Sequence, residues 1–185
     1  MNNINVAVIV GSLRKESFSK KIALAIKDVS PKNLNLELID ISQIEMYNQD
    51  LEAEKREPES WLAFRDELKK YDAFLFVTPE YNRSMSGVLK NALDVGSRPY
   101  GYSVWNGKPG AIVSVSPGAI GGFGANHHLR QVLTFLNVAT MQQPEAYIGS
   151  VHTLLNDKGI IANTDTLKFL NQFANSFLKW IQANS

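Results

Sequence analysis

Short apolar runs alternate with amphipathic helical patterns along the whole chain. The first run, INVAVIV (4–10), is unbroken and rich in Val and Ile. Such a run is typical of a strand that is covered on both faces, as in a parallel sheet. Shorter or similar runs follow at 35–41, 72–78, 110–116 and 138–141. We expect these five runs to be the strands of one sheet.

Helical patterns fill the intervals between the runs. Apolar residues recur at helical spacing over 19–29, from Pro58 to Tyr71, over 86–97, over 122–136, and from Leu167 to Ile181, where Thr164 or Asp165 would cap the helix. Alternation of this kind predicts right-handed crossovers and a parallel sheet with helices on both faces. Five strands favour a flavodoxin-like, doubly wound α/β fold of strand order 2-1-3-4-5. We expect one domain over 1–185.

Composition limits the class of function. The formal net charge is +1, so there is no basic excess to displace counterions, and we expect no nucleic-acid partner. The chain has no cysteine, which excludes thiolate nucleophiles, disulfides and cysteine metal sites. No stretch approaches ~18 consecutive apolar residues, and the N-terminus lacks the features of a signal peptide. We therefore expect no membrane segment and a cytoplasmic location.

The histidines do not have the spacing of a metal site. His127 and His128 are adjacent, and adjacent residues of a helix point about 100° apart. His152 stands alone, and no H-E-x-x-H motif occurs. We expect no metal, and we interpret the histidines as surface or interface residues.

Three polar turns follow three of the predicted strands, and ligands of doubly wound sheets bind beyond the carboxyl ends of the strands, where the strand order reverses. We name them the first turn (11–19, GSLRKESFS), the second turn (79–87, PEYNRSMSG) and the third turn (114–122, SVSPGAIGG). In the order 2-1-3-4-5 the reversal lies between the first and third strands, so we expect these turns to meet in one site.

The first turn has the composition of a phosphate site. Gly11 permits a sharp turn, and Ser12, Ser17 and Ser19 offer hydroxyl donors ahead of a helix N-terminus. Arg14 adds a charged, forked donor set. These groups would hold a phosphate without a metal. The alternative is a serine-rich helix cap with Arg14 in solvent.

The second turn has groups that suit a flat heterocycle. Pro79 ends the strand, and Glu80, Tyr81 and Asn82 follow at its tip. Tyr81 offers a ring face and a hydroxyl, and Asn82 offers a donor and an acceptor. The alternative is an ordinary Pro-Asn turn in which Glu80 is solvated.

The third turn combines small residues. Ser114, Ser116, Gly118, Gly121 and Gly122 leave room for a flat group to lie against backbone. The alternative is a flexible glycine loop.

Taken together, three blocks resemble a known family: VGSLRKESFSKKIA (10–23), TPEYNRSMSGVLKNALD (78–94) and HHLRQVL (127–133). The chain resembles the NADPH-dependent FMN reductases, in their bacterial quinone, azo-dye and chromate reductase branch. The resemblance covers nearly the whole chain. Two departures fall at the mouth of the site or at a subunit contact. Val95 stands where the family often has tryptophan, and Phe123 and Gly124 stand where the chromate-reducing branch commonly has arginine.

The resemblance implies a set of cofactor contacts. Ser12, Arg14 and Ser19 match the FMN phosphate contacts, with Ser17 as a helper. The isoalloxazine loop is matched by Pro79, Glu80, Tyr81 and Asn82, and the loop beside the ring by Ser114, Ser116 and Gly118. The implied cofactor is non-covalent FMN, with NADPH or NADH as co-substrate.

The resemblance also implies an activity and an assembly. Hydride passes to FMN N5, then electrons pass to a small acceptor at the same place, so ping-pong kinetics follow and no catalytic side chain is needed. The implied acceptors are quinones, azo compounds, free flavins and oxidised metal ions, and the implied assembly is a homodimer or homotetramer. Two other classes stay open: a flavodoxin-type electron carrier, and a protein that senses flavin redox state through the polar loop at 42–57. The segment YGYSVW (100–105) is a candidate substrate contact. We interpret Trp105 as a packing residue, with a place at the flavin mouth as the alternative.

Overall fold

The computed structural model describes residues 3–185, and its strands form one parallel sheet. The strands are β1 (Ile4–Val10), β2 (Leu34–Ile39), β3 (Ala73–Pro79), β4 (Pro109–Val115), β5 (Ala139–Thr140) and β6 (Ala146–Ile148). Their order is β2-β1-β3-β4-β5, and β6 also pairs with β4. The predicted flavodoxin-like order 2-1-3-4-5 is therefore confirmed.

Helices connect the strands. They are α1 (Phe18–Val29), α2 (Gln49–Ala53), α3 (Glu59–Leu68), α4 (Gly87–Gly96), α5 (Phe123–Phe135) and α6 (Thr164–Asn184), with a 3₁₀ turn at Val151–Leu154. Across residues 3–185, no helix combines the length and the apolarity needed to cross a bilayer.

The two faces of the sheet are covered by different helices. Val6 and Val8 of β1 belong to a core that is closed by α1 and α6. Ala7 and Ile9 point the other way, into a core that is closed by α3, α4 and α5. Both faces are buried, which is the physical reason that β1 is an unbroken apolar run.

The fifth strand position is shared by two short strands, where the sequence predicted one strand over 138–141. β5 pairs with Pro109 and Gly110 at the start of β4, and β6 pairs with Val113–Val115 at its end. Pro144 lies between the two strands, and proline has no N–H to donate to a ladder. This interruption separates β5 from β6, and β6 was not predicted from the sequence.

One further expectation, the cap of α6, is corrected by a local hydrogen bond. Asn163, rather than Thr164 or Asp165, caps α6, and its Oδ1 accepts from the Thr166 N–H at 2.9 Å. The polar loop at 42–57 contains α2, and several hydrogen bonds fasten it to α3 and α4. Trp61 Nε1 donates to the Glu45 carbonyl at 2.8 Å, and the Tyr47 N–H donates to Asn91 Oδ1 at 2.8 Å.

Candidate functional site

The three polar turns follow neighbouring parallel strands, and all three lie at the carboxyl ends of these strands. β1, β3 and β4 are adjacent, and they end at Val10, Pro79 and Val115. Pro79 is in register with Val115. The Gly11 N–H, just beyond β1, donates to the Val77 carbonyl of β3 at 2.9 Å.

Glycines allow the turns to approach closely. A Cβ at Gly11 would lie 3.2 Å from Pro79 Cδ and 3.1 Å from Ser86 Oγ. A Cβ at Gly122 would lie 3.5 Å from the Cβ of Glu80. The second turn therefore touches both the first turn and the end of the third, and the expected meeting of the three turns is observed.

The first turn combines an unpaired cation with a helix N-terminus. Ser17 is the N-cap of α1, and its Oγ accepts from the Lys20 N–H at 3.1 Å. Ser17 and Ser19 are buried, Ser12 is half-buried and Arg14 is exposed. In the described part of the chain no carboxylate is paired with Arg14, whose guanidinium carbon lies 5.8 Å from the Phe18 ring centre. The helix α1 itself has no acidic residue among its first residues, so no carboxylate within the helix neutralises its positive N-terminal end.

The second turn contains a tight two-residue hairpin. The Tyr81 N–H donates to the Ser84 carbonyl at 2.9 Å, and the Ser84 N–H donates back to Tyr81 at 3.0 Å. Asn82 and Arg83 between them have φ of 51° and 65°. Positive φ at both central residues is the type I′ pattern. The hairpin leaves Tyr81 and Asn82 exposed at the edge of the site.

Glu80 is partnered, so the alternative of a solvated Glu80 is wrong. Its Oε2 accepts from the Ala125 N–H in the first turn of α5 at 3.1 Å. Its Oε1 accepts from Arg83 Nη1 at 2.9 Å. The side chain is only 11% exposed, whereas that of Arg83 is 73% exposed.

The third turn is held by hydrogen bonds on both sides. Ser114 is fully buried, and its Oγ donates to the Gly121 carbonyl at 2.7 Å. Ser116 Oγ accepts from the Gly118 N–H at 3.1 Å. The Ser150 N–H donates to the Gly118 carbonyl at 3.1 Å, so the segment after β6 supports the turn. These bonds argue against a flexible glycine loop.

An aromatic cluster, which was not predicted from the sequence, lies beside the third turn. The ring centre of Phe123 is 4.2 Å from that of His127 and 5.4 Å from that of Tyr147. His127 Nε2 is 3.0 Å from the Tyr147 hydroxyl. Burial, together with the Glu145 carboxylate, raises the pKa of Tyr147 to about 12, so its phenol is protonated at neutral pH.

The two adjacent histidines contact different partners. His127 contacts Tyr147, whereas His128 Nδ1 lies 2.7 Å from Ser84 Oγ in the second turn. No group of His, Asp and Glu that could hold a metal ion is found within 3–185.

The segment 100–105 lies near the amino-terminal ends of the strands, whereas the three turns lie at the carboxyl ends. Trp105 therefore does not flank the three turns of its own chain. Trp105 is fully buried, and its ring centre is 4.7 Å from that of Phe74 near the start of β3. Its Nε1 donates to the Leu93 carbonyl at 3.0 Å. Trp105 is therefore a core residue, as the first interpretation predicted, and the alternative place at the flavin mouth is wrong within this chain.

The residues present suit a phosphorylated, flat ligand. An unpaired guanidinium and an unneutralised helix N-terminus together attract a phosphate. The exposed Tyr81 and Asn82 follow the neighbouring strand β3, and the third turn, which is rich in small residues, lies at the end of β4. FMN has both parts, a phosphate and a flat ring, and its phosphate end and ring end fit this order.

Comparisons with known proteins agree with this geometry. Residues 4–153 match the family model described as NADPH-dependent FMN reductase. A quinone reductase of Pseudomonas putida is 56% identical over 180 residues, covering 97% of this chain and 96% of the relative. A 2-hydroxy-1,4-benzoquinone reductase of a Burkholderia species is 44% identical over 179 residues, covering 97% of each.

A solved structure is similar over nearly the whole chain. FerB, the flavoenzyme NAD(P)H:(acceptor) oxidoreductase from Paracoccus denitrificans, has a TM-score of 0.89 at 40% identity, with 98% of each chain covered. The family match spans well over half of this chain, and the relatives are covered almost end to end. The chain therefore belongs to the NADPH-dependent FMN reductase family, and it is an oxidoreductase that uses FMN as cofactor and NAD(P)H as co-substrate.

Proposed function

We propose that the chain reduces quinones with NAD(P)H by a ping-pong mechanism at the site formed by its three turns. The observation that carries the proposal is the convergence of an unpaired Arg14, the α1 N-terminus and the exposed Tyr81–Asn82 hairpin at one edge of the sheet. The two bacterial relatives are a quinone reductase and a 2-hydroxy-1,4-benzoquinone reductase, and this likeness supports the choice of acceptor.

The first turn would bind the FMN phosphate. Arg14 supplies the charge, and the N–H groups at the start of α1 supply further donors. Ser12 and Ser19 add hydroxyls. The Oγ of Ser17 accepts the cap bond from Lys20, which leaves its own proton free to donate to a phosphate oxygen.

The second and third turns would hold the ring. The wall at the end of β3 would be formed by Pro79, Glu80, Tyr81 and Asn82, and Ser116 and Gly118 follow the end of β4, the neighbouring strand. Ser114 is buried and donates to Gly121, so it would act by shaping the third turn. FMN supplies the redox chemistry when it is bound. The work of the chain is to orient the ring and to admit NAD(P)H and the acceptor in turn, and we propose no catalytic side chain.

Several finer features belong to the same proposal. Azo compounds, free flavins, chromate and other oxidised metal ions are further acceptors, after quinones. We propose that residues 1–185 act as one FMN-binding domain in a homodimer or homotetramer. A cytoplasmic location stays a prediction, as does the absence of a nucleic-acid or membrane partner.

The two alternative classes receive less support. Of these, the electron carrier would not sustain NADPH oxidation with a quinone. The redox-sensing protein would need a loop that responds to the flavin, and the loop at 42–57 is fastened to α3 and α4 by the bonds of Glu45 and Tyr47.

Steady-state kinetics test the proposal. We expect FMN-loaded protein to oxidise NADPH continuously in the presence of 1,4-benzoquinone. Double-reciprocal plots against NADPH, taken at several fixed quinone concentrations, should be parallel, because NADP⁺ leaves before the quinone enters. Intersecting lines would show that both substrates are bound at once and would contradict the ping-pong proposal. A single stoichiometric oxidation without turnover would favour the electron carrier.

A further inference from the structure

We propose that Glu80 is a positioning residue. Its carboxylate fastens the second turn to the N-terminal end of α5 and thereby sets the positions of Tyr81 and Asn82. The inference rests on the proposed function, because it assigns a task to one residue of the proposed ring wall. The main chain of Glu80 remains part of that wall, and its side chain is directed to α5.

Glu80 takes the place of the missing cap of α5. The N-cap of α5 is Gly122, which has a φ of 77° and no side chain to accept a hydrogen bond. The first turn of α5 contains no acidic residue. Glu80, which is 45 residues before Ala125, supplies both the acceptor and the negative charge at this helix end. The carboxylate thus stabilises α5 and fixes the second turn through one contact.

The second turn packs so closely against α5 that there is no room for an added methyl group between them. A Cβ at Gly124 would lie 2.9 Å from the Arg83 carbonyl oxygen and 3.0 Å from Glu80 Oε2. Ser84, at the far end of the hairpin, is also linked to α5, because its Oγ lies 2.7 Å from His128 Nδ1. Glu80 and Ser84 flank the hairpin, so α5 anchors it at both ends.

The hairpin needs such anchors because its backbone is strained. Asn82 and Arg83 both have positive φ without being glycine, and residues in this region keep that conformation only where their surroundings hold them. If the Glu80 anchor is lost, the hairpin is free to relax. Tyr81 and Asn82 must then be ordered when FMN binds, and that ordering lowers the affinity.

Three variants, titrated as apo-protein with FMN, test the role. We expect Glu80→Ala to weaken FMN binding by about tenfold or more, as a charge-assisted bond is lost and the hairpin is released. Glu80→Gln should stay within about threefold of the wild type, because its amide oxygen still accepts from the Ala125 N–H. Arg83→Ala removes the partner on the exposed side of Glu80 and leaves the bond to the Ala125 N–H in place, so FMN binding should also stay within about threefold. Visible circular dichroism of the bound flavin should change in Glu80→Ala and be restored in Glu80→Gln.

A fourth variant displaces the turn without removing a polar group. Gly124→Ala should weaken FMN binding by about tenfold, because the new methyl pushes against the Arg83 carbonyl and the Glu80 carboxylate. If Glu80→Ala does not fold, the FMN affinity of Gly124→Ala tests whether the position of the second turn controls FMN binding.

The outcomes separate this inference from the proposed function. Wild-type affinity in both Glu80→Ala and Gly124→Ala would overturn the positioning role, as would a Glu80→Gln variant as weak as Glu80→Ala. A wild-type protein that binds no FMN would instead overturn the proposed function itself.

Discussion

Replacing Arg14 by alanine is expected to weaken FMN binding by about 10- to 150-fold. A hydrogen bond to a charged group contributes about 1.5 to 3 kcal/mol, and each 1.4 kcal/mol is about tenfold in affinity. Arg14 has no carboxylate partner within the described residues, so its charge is available to the phosphate. Fluorescence titration of apo-protein with FMN measures the effect, because free FMN fluoresces and bound FMN is commonly quenched.

Two control variants isolate the role of Arg14. Lys15 is the adjacent exposed cation, and Lys15→Ala removes the same charge from the neighbouring position. We expect Lys15→Ala to bind FMN within about threefold of the wild type, because an exposed charge beyond direct contact is screened. Arg14→Lys should lie between the two, since lysine keeps the charge and loses the forked donor set. Equal affinity in Arg14→Ala and Lys15→Ala would remove Arg14 from the phosphate site.

Replacing Gly121 by alanine is expected to destabilise the protein by about 2 to 5 kcal/mol, which combines backbone strain with overpacking. Gly121 has a φ of 65°, and a Cβ there would lie 2.5 Å from the carbonyl carbon of Tyr147. The third turn would have to move away from β6. For a chain of this length the melting temperature should fall by about 5 to 15 °C. FMN affinity should fall as well, because the third turn lies beside the ring.

A second glycine variant distinguishes the effect of backbone strain from the effect of steric overlap. Gly107 also has positive φ, 76°, and a Cβ there would meet no atom within 4 Å. Gly107→Ala therefore carries the backbone strain alone, of order 1 kcal/mol. It lies before β4, away from the turns, so FMN affinity should be unchanged. Equal losses of stability at the two positions would mean that the third turn does not pack against β6.

The strands and their order could be predicted from the sequence because each buried strand carries its own local signal. Runs such as 4–10 and 72–78 are apolar on both faces, and only a sheet covered by helices buries them. The polar turns could be placed together for a related reason. Parallel strands end at one edge, so turns that are distant along the chain become neighbours once the strand order is known.

The remaining features depend on contacts between distant segments. Glu80 caps α5 across 45 residues, and no local pattern at either position announces that bond. The sequence allows Trp105 either a core position or one at the flavin mouth, and its contact with Phe74 of β3 places it in the core. The short strand β6 was missed because its three residues are too few to show a period.

The most direct test of the account is the colour of the FMN-loaded protein under anaerobic conditions. After excess FMN is removed by gel filtration, the protein should remain yellow. NADPH should then bleach the visible flavin band, and a quinone added afterwards should restore it. A protein that stays colourless after incubation with excess FMN would contradict the account at its centre, because the three turns would then not form a flavin site.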